Sequence, residues 1–344
     1  MVNSRQTKLK GGSLSSTYLI EQDNKKFIRK TVSLTENREY GYVRWYSQLK
    51  KLQRYNTEFP RLFPKVLNVS YEKEDAYFDL QYMDGYSDLY TILSGRDLSE
   101  HELKKINHAL WNAFKELHRI DYVPNSGAAL LYFKEEIEQK LICIDKFNKF
   151  ICSMRIEFIK LIDANKFDEF NKFYSHGTYE LNGEIVHGIT NFMDELRNFF
   201  TEMNLINEEC IHGNPTLENT LYSFVDDMVV FVDPYEESII DSRFLDYSMV
   251  LQSSHSLYEN FNKQPINVED SKVWCNDNQP SDNFRQFNEL FTSELVESRT
   301  KKIVDVLEAT QFIRMLPFKC AAGNYDHAKY FYLHACKLFS KIFI

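Results

Sequence analysis

Four side chains, His212, Asn214, Asn219 and Asp233, stand at spacings that suit chemistry on a phosphate. The stretch from Ile211 to Tyr222 reads IHGNPTLENTLY, and an apolar run, Val229 to Val232, leads into Asp233-Pro234. An amide oxygen from Asn219 and a carboxylate from Asp233 are hard oxygen ligands, of the kind Mg2+ takes beside nucleotide phosphates. His212 suits a structural role, hydrogen-bonding the backbone of its own loop. Position 214 is where an attacking hydroxyl needs an acceptor for its proton, and an amide cannot take a proton at neutral pH. Asp233-Pro234 alone reads as an ordinary strand-ending turn. The paired order of loop, hairpin and acid is what points to chemistry.

In phosphoryl-transfer catalytic loops an Asp and a metal-binding Asn are separated by four residues, and a second metal-binding Asp follows on a later turn. Asn214, Asn219 and Asp233 keep that order. On HGNPTLEN and FVDP the sequence resembles the aminoglycoside phosphotransferase and choline kinase family, whose signature is HGD, four residues, Asn, then an Asp after a strand. The likeness runs in order along most of the chain and is sharp at the loop and Asp233. It implies an α+β, two-lobed protein-kinase-like fold that binds MgATP between its lobes. His212 would hold the loop's shape, Asn219 and Asp233 would hold Mg2+, and Asp246, in RFLDYSMVLQS, would brace the loop from the next helix. Asp241 is the rival for that brace.

Further pieces follow from the same resemblance. Gly11, Gly12 and Ser13, in KGGSLSSTYLI, would form the turn covering the nucleotide, its N–H groups cradling phosphate oxygens. FIRKTV would supply the phosphate-pairing cation. Strand alternation puts Ile28, Lys30 and Val32 on one face and Phe27, Arg29 and Thr31 on the other. Lys30, with Ile28 against adenine, is preferred; Arg29 with Phe27 is the alternative, and either cation could instead be a solvated charge on an edge strand. Glu39 would orient Lys30 from the following helix, with Glu36 second. The backbone of Gln81, Tyr82 and Met83 would form the hinge that meets the adenine edge.

Asn214 is the departure from the family pattern. Three accounts stand: a working phosphotransferase whose acid has been replaced, a catalytically silent pseudokinase that binds nucleotide and acts through shape, or substitution by another carboxylate such as Glu218. The acceptor the family implies is a hydroxyl on a small metabolite, sugar or amino alcohol. HGNPTLEN and LQSSHSLYE are most similar to bacterial members associated with surface-polysaccharide synthesis, which implies a sugar-type acceptor.

The elements that must position these residues are legible from pattern. A hairpin is expected at Thr17 to Glu21 and Lys26 to Val32, turning at Asp23-Asn24. A helix follows over LTENREYGYVRWYSQLKKLQRY, with Tyr40, Val43, Tyr46 or Ser47, and Leu49 as its apolar face. Two strands flank a turn at Lys73 to Asp75. Ser99 caps a strong helix whose apolar face is Leu103, Ile106, Leu110, Ala113, Phe114 and Leu117. Residues from about Tyr132 to Glu202 read as helical with an interruption near Ser175 to Asn182, and those from Phe244 onward as mostly helical with a polar loop at about Asn276 to Asp282; a strand pair turning at Asp226-Asp227 lies between them. The expected lobes are residues 1–83 and 84–344.

The bulk composition agrees. Gly (11) and Pro (8) are scarce and hydrophobic residues make up 43%, which favours a helix-rich globular protein over disorder. A net charge of −9 argues against a general nucleic-acid binder. No apolar run has transmembrane length, and the six cysteines lack metal or disulfide spacing, so a cytoplasmic protein with buried thiols is expected.

Overall fold

The computed structural model describes residues 4–9, 15–35, 41–119, 123–124, 127–141, 169–170, 172–174, 176–203, 206–207, 210–235, 238–276 and 281–344. The chain is α+β, with a sheet-rich beginning and a largely helical remainder. It divides into two compact units. The first holds residues 1–95, 104–119 and 212–238; the second holds 96–103, 120–211 and 239–344.

In the first unit, β1 (Ser4–Lys8), β2 (Ser16–Gln22), β3 (Lys25–Ser33), β4 (Val66–Tyr71) and β5 (Asp75–Gln81) form an antiparallel sheet in the order β1-β2-β3-β5-β4. The β2–β3 hairpin turns at Asp23 (φ 50°) and Asn24 (φ 61°). Both are left-handed, as a two-residue turn of matching twist requires. β1 is an addition to the expected strands: SRQTK is polar on both faces, so alternation does not reveal it.

Helix α1 (Gly41–Glu58) buries Gly41, Trp45, Gln48, Leu49, Leu52 and Tyr55. The expected face is corrected: Val43 is 48% and Tyr46 37% exposed. The large anchor Trp45 sets the face instead. Its ring packs 5.3 Å from Phe78, and its Nε1 donates to the Lys30 carbonyl (3.2 Å). Next come β6 (Ser87–Asp88), α2 (Leu89–Ser94), capped by Asp88 on the Thr91 N–H (2.8 Å), and α3 (Glu100–Leu117). Ser99 and Glu102 cap α3 reciprocally: Ser99 N–H donates to the Glu102 carboxylate (2.9 Å) and Glu102 N–H to Ser99 Oγ (3.3 Å). All six residues expected on its apolar face are buried.

The second unit begins its described elements with β7 (Val123–Pro124), α4 (Ala128–Tyr132), β8 (Thr178–Leu181), β9 (Glu184–His187), α5 (Met193–Glu202) and β10 (Ile206–Asn207). Strands β11 (Thr220–Ser223) and β12 (Met228–Phe231), in the first unit, pair antiparallel as expected, and β6 joins them. The second unit resumes with α6 (Arg243–Ser254), α7 (Tyr258–Lys263), β13 (Ile266–Glu269), β14 (Lys272–Cys275), α8 (Asp282–Ser293), α9 (Ser298–Ala321) and α10 (Tyr325–Phe343).

The helical reading of this region is corrected by a four-stranded sheet, β13-β14-β8-β9, whose central pair is parallel. The signal for β8–β9 is Asn182-Gly183, a left-handed pair (φ 49° and 83°) that closes the hairpin. The unit's core gathers Phe133, Phe200, Leu307, Phe312, Phe331 and Phe339. Of the six cysteines, Cys143 and Cys152 lie outside the described residues; Cys210, Cys320 and Cys336 are buried and unbridged. Among the described residues no helix is long and apolar enough to cross a membrane.

One pair in this unit sets a pH dependence. His255, just past α6, meets Glu308 through Nδ1 (2.9 and 3.1 Å), and Ser256 Oγ donates to the same buried carboxylate. The Glu308 charge, more than burial opposes it, raises the His255 pKa above its ordinary value. A raised folded-state pKa gives stability that is full below the unfolded value of about 6.5 and lost as pH rises through the folded one. Urea midpoints followed across that window should fall in the wild type, and Glu308→Gln should flatten this part of the profile. An unchanged slope in the variant would contradict the pairing.

Candidate active site

The loop from His212 to Asn219 is built on its own backbone. Gly213 has φ +84°, and a Cβ there would come within 3.0 Å of both Ser238 Oγ and Tyr235 Cβ, so conformation and space both demand glycine. His212 is fully buried, its ring 5.3 Å from Phe231 and stacked 6.1 Å from Phe63. The Asn214 N–H donates to His212 Nδ1 (3.1 Å), so that nitrogen carries the lone pair. The proton is therefore on Nε2, which donates to the Val232 carbonyl (3.0 Å). One imidazole thus ties the loop to the strand that leads to Asp233.

Asn219 ends a short 3-10 turn, Leu217–Asn219. Its Nδ2 donates to the Asn214 carbonyl (3.0 Å), which fixes the orientation of the amide. Its own carbonyl accepts from Val232 N–H (2.9 Å), placing Asn219 beside the residue before Asp233. Asn214 is half-buried, and its backbone takes part in these bonds.

Asp233 follows β12 with φ +59°, a left-handed conformation few non-glycine residues adopt, though Asp adopts it more readily than most. Such backbone costs about 1 kcal/mol or more and gathers at functional sites. Lys30 Nζ donates to Asp233 Oδ1 and to Gln48 Oε1 (2.7 Å), while Gln48 Nε2 donates to the same Asp233 oxygen (2.6 Å) and to the Pro234 carbonyl (2.9 Å). Burial pushes the Asp233 carboxyl up. The Lys30 charge, the hydrogen bonds from Lys30 and Gln48, and the field of His212 outweigh it, so the group lies below the usual carboxylate range. Lys30 is 8% exposed, so it is no solvated edge-strand charge.

Alternation separates the two candidate cations. Lys30 faces Asp233, whereas Arg29 is held bidentate by Asp79 (2.7 and 2.8 Å) and stacks 3.8 Å from the Tyr77 ring centre. Ile28 is half-buried opposite Leu19 and Leu80. The Gln81 N–H is taken by the Lys65 carbonyl (2.9 Å), and the Met83 carbonyl accepts from Tyr86 (3.3 Å); Tyr82 and Met83 are half-buried. Gly11, Gly12, Ser13, Glu36 and Glu39 lie outside the described residues. Asp246 is buried in α6 and Asp241 is exposed, both in the second unit. Glu218 is exposed.

Gln48 is the residue that sequence reasoning missed. Its signal was a polar letter within the stripe Trp45, Leu49, Leu52, Tyr55. Among the described residues no group of three or more His, Cys, Asp or Glu side chains gathers to hold a metal. Mg2+ needs no such cage: one carboxylate with substrate phosphates and water suffices. Asp233 and Asn219 fit that donor set, since Lys30 and Gln48 both address Asp233 Oδ1 and leave Oδ2 for a ligand.

No family model matches the sequence, and no curated protein matches it. Among solved structures the chain is similar to a spectinomycin phosphotransferase crystallised with ADP and spectinomycin. The two share 11% identity over 98% of this chain and 89% of that one, with a TM-score of 0.46.

Proposed function

We propose that the chain is an ATP-dependent phosphotransferase in its underlying chemistry, moving the γ-phosphate to a hydroxyl of a small metabolite or sugar, and that Asn214 impairs it. Residues 1–83 would cover the nucleotide and 84–344 would carry the catalytic loop and the acceptor determinants. The observation that supports the reading is the pairing of Lys30 with Asp233, 203 positions away, while the Asn219 backbone is bonded to Val232, the residue before that acid. Lys30 would hold the nucleotide's phosphates. Asn219 and Asp233 would hold Mg2+, which when bound supplies charge neutralisation across the phosphates. Asn214 would face the acceptor hydroxyl and orient it through its amide oxygen, without taking its proton.

A second reading is favoured by Asn214 itself: a silent nucleotide-binding protein that regulates or scaffolds. Both readings require a nucleotide. MgATP at a hundred times its dissociation constant should add about 2.7 kcal/mol of stability, read as a raised unfolding temperature. EDTA should remove most of the gain. If neither ATP nor GTP moves the transition, both readings fall.

A further inference from the structure

On the two long helices of the second unit, lysines are matched with acids: Lys301 meets Asp305 (2.6 Å), Lys329 meets Asp326 (3.7 Å) and Lys337 meets Glu184 (2.8 Å). Lys319, in the last turn of α9, is held differently. Its Nζ donates to Asn262 Oδ1 in α7 and lies 5.0 Å over the Phe331 ring of α10. Among the described residues no carboxylate is bonded to it. An amide oxygen and a ring face leave an ammonium with partners but no counter-charge. His327 is a titratable neighbour. Its Nε2 donates to the Gln264 carbonyl (3.1 Å), and burial together with the Lys319 charge holds its pKa below the ordinary value. It is therefore neutral at neutral pH and supplies no anion. Asp326, whose field reaches His327, is engaged by Lys329. The carbonyls ending α9 favour a cation, yet burial brings the Lys319 pKa down to about 8. The amine is half-buried but not sealed: Asn262, which it bonds, and Phe318, next to it in the chain, are exposed.

We propose that Lys319 is a nucleophilic amine and a modification site for small activated acyl groups, with acyl phosphates as the donor class. The acyl group must be small, because Phe331 and Asn262 leave the amine only partly open. The Nζ lone pair attacks the acyl carbon. The bond from that carbon to the phosphate oxygen breaks, inorganic phosphate leaves with the bonding electrons, and the surplus proton on nitrogen passes to water. The product is a neutral amide, which keeps one N–H for Asn262 and removes a charge from the last turn of α9.

The test is trace labelling of the full native chain with acetic anhydride across pH, read lysine by lysine by peptide mass spectrometry. Near neutral pH Lys319 should react about tenfold faster than the exposed Lys302, because more of it is free amine. Its rate should be half-maximal near pH 8, against about 10.4 for an ordinary lysine. Asn262→Asp puts a carboxylate on the ammonium and should bring the rate back to that of Lys302. Unfolding in urea should abolish the difference between the two lysines. Limiting acetyl phosphate should acetylate Lys319 ahead of Lys302. Labelling no faster than Lys302, or equally fast in Asn262→Asp, would overturn the nucleophilic amine. Fast labelling by the anhydride without preference under acetyl phosphate would overturn the donor class.

Discussion

Asn214→Asp should raise γ-phosphate transfer by about 10²–10⁴-fold, the usual worth of a positioned general base. The loop is ready for the change. Its shape is set by bonds to the Asn214 backbone, from Asn219 Nδ2, the Thr216 N–H and, through His212 Nδ1, the Asn214 N–H. None of the described hydrogen bonds uses the 214 side chain, so a carboxylate of the same size can replace the amide with the backbone unmoved. Phosphoryl transfer passes through a loose transition state, so positioning by Lys30, Asn219 and Asp233 would leave residual turnover in the present chain. ATP consumption measured against a panel of sugars and amino alcohols separates the readings. Turnover that rises with the carboxylate supports the phosphotransferase; MgATP binding with no turnover in either protein supports the silent nucleotide binder.

A large loss of stability in the first unit is expected from His212→Ala, about 3–5 kcal/mol. The ring fills a fully buried space between Phe63 and Phe231, and its removal leaves a cavity of aromatic size. It also strips the Val232 carbonyl of a donor and the Asn214 N–H of an acceptor, both within the site. Urea unfolding should show a lower midpoint, and nucleotide-dependent stabilisation should fall with it, because Asn219 and Asp233 lose their common tether. A change below about 1 kcal/mol, within the range of surface substitutions, would show that the imidazole does not organise the loop.

The parts of this fold that were legible in sequence are those in which local chemistry and tertiary packing agree. Asp23-Asn24 turns where two left-handed residues are needed, and α3 keeps a helical stripe from Leu103 to Leu117 behind a Ser99–Glu102 box. The parts that were not legible are those in which they disagree. β1 is polar on both faces because its place is at the sheet edge. β8 and β14 are four residues long and pair across about ninety positions, a contact with no local trace. At the site, Asp233 is legible from its spacing after the loop and Lys30 only through the family resemblance, since alternation leaves Arg29 open, whereas Gln48 is silent. An amide has no ionisation to advertise, and its use depends on a helix face that Trp45 decides and Val43 obscures.

The first unit's discontinuity has a consequence during synthesis. Lys30 and Asp233 are 203 residues apart. A ribosome adding about 5–20 residues per second exposes the sheet with its ammonium roughly 10–40 s before the matching carboxylate leaves the exit tunnel. Throughout that interval the Lys30 ammonium lacks the carboxylate it is paired with in the finished fold. The Lys30–Asp233 ion pair can therefore form only after the β11–β12 segment has been translated, well after the sheet that carries the lysine.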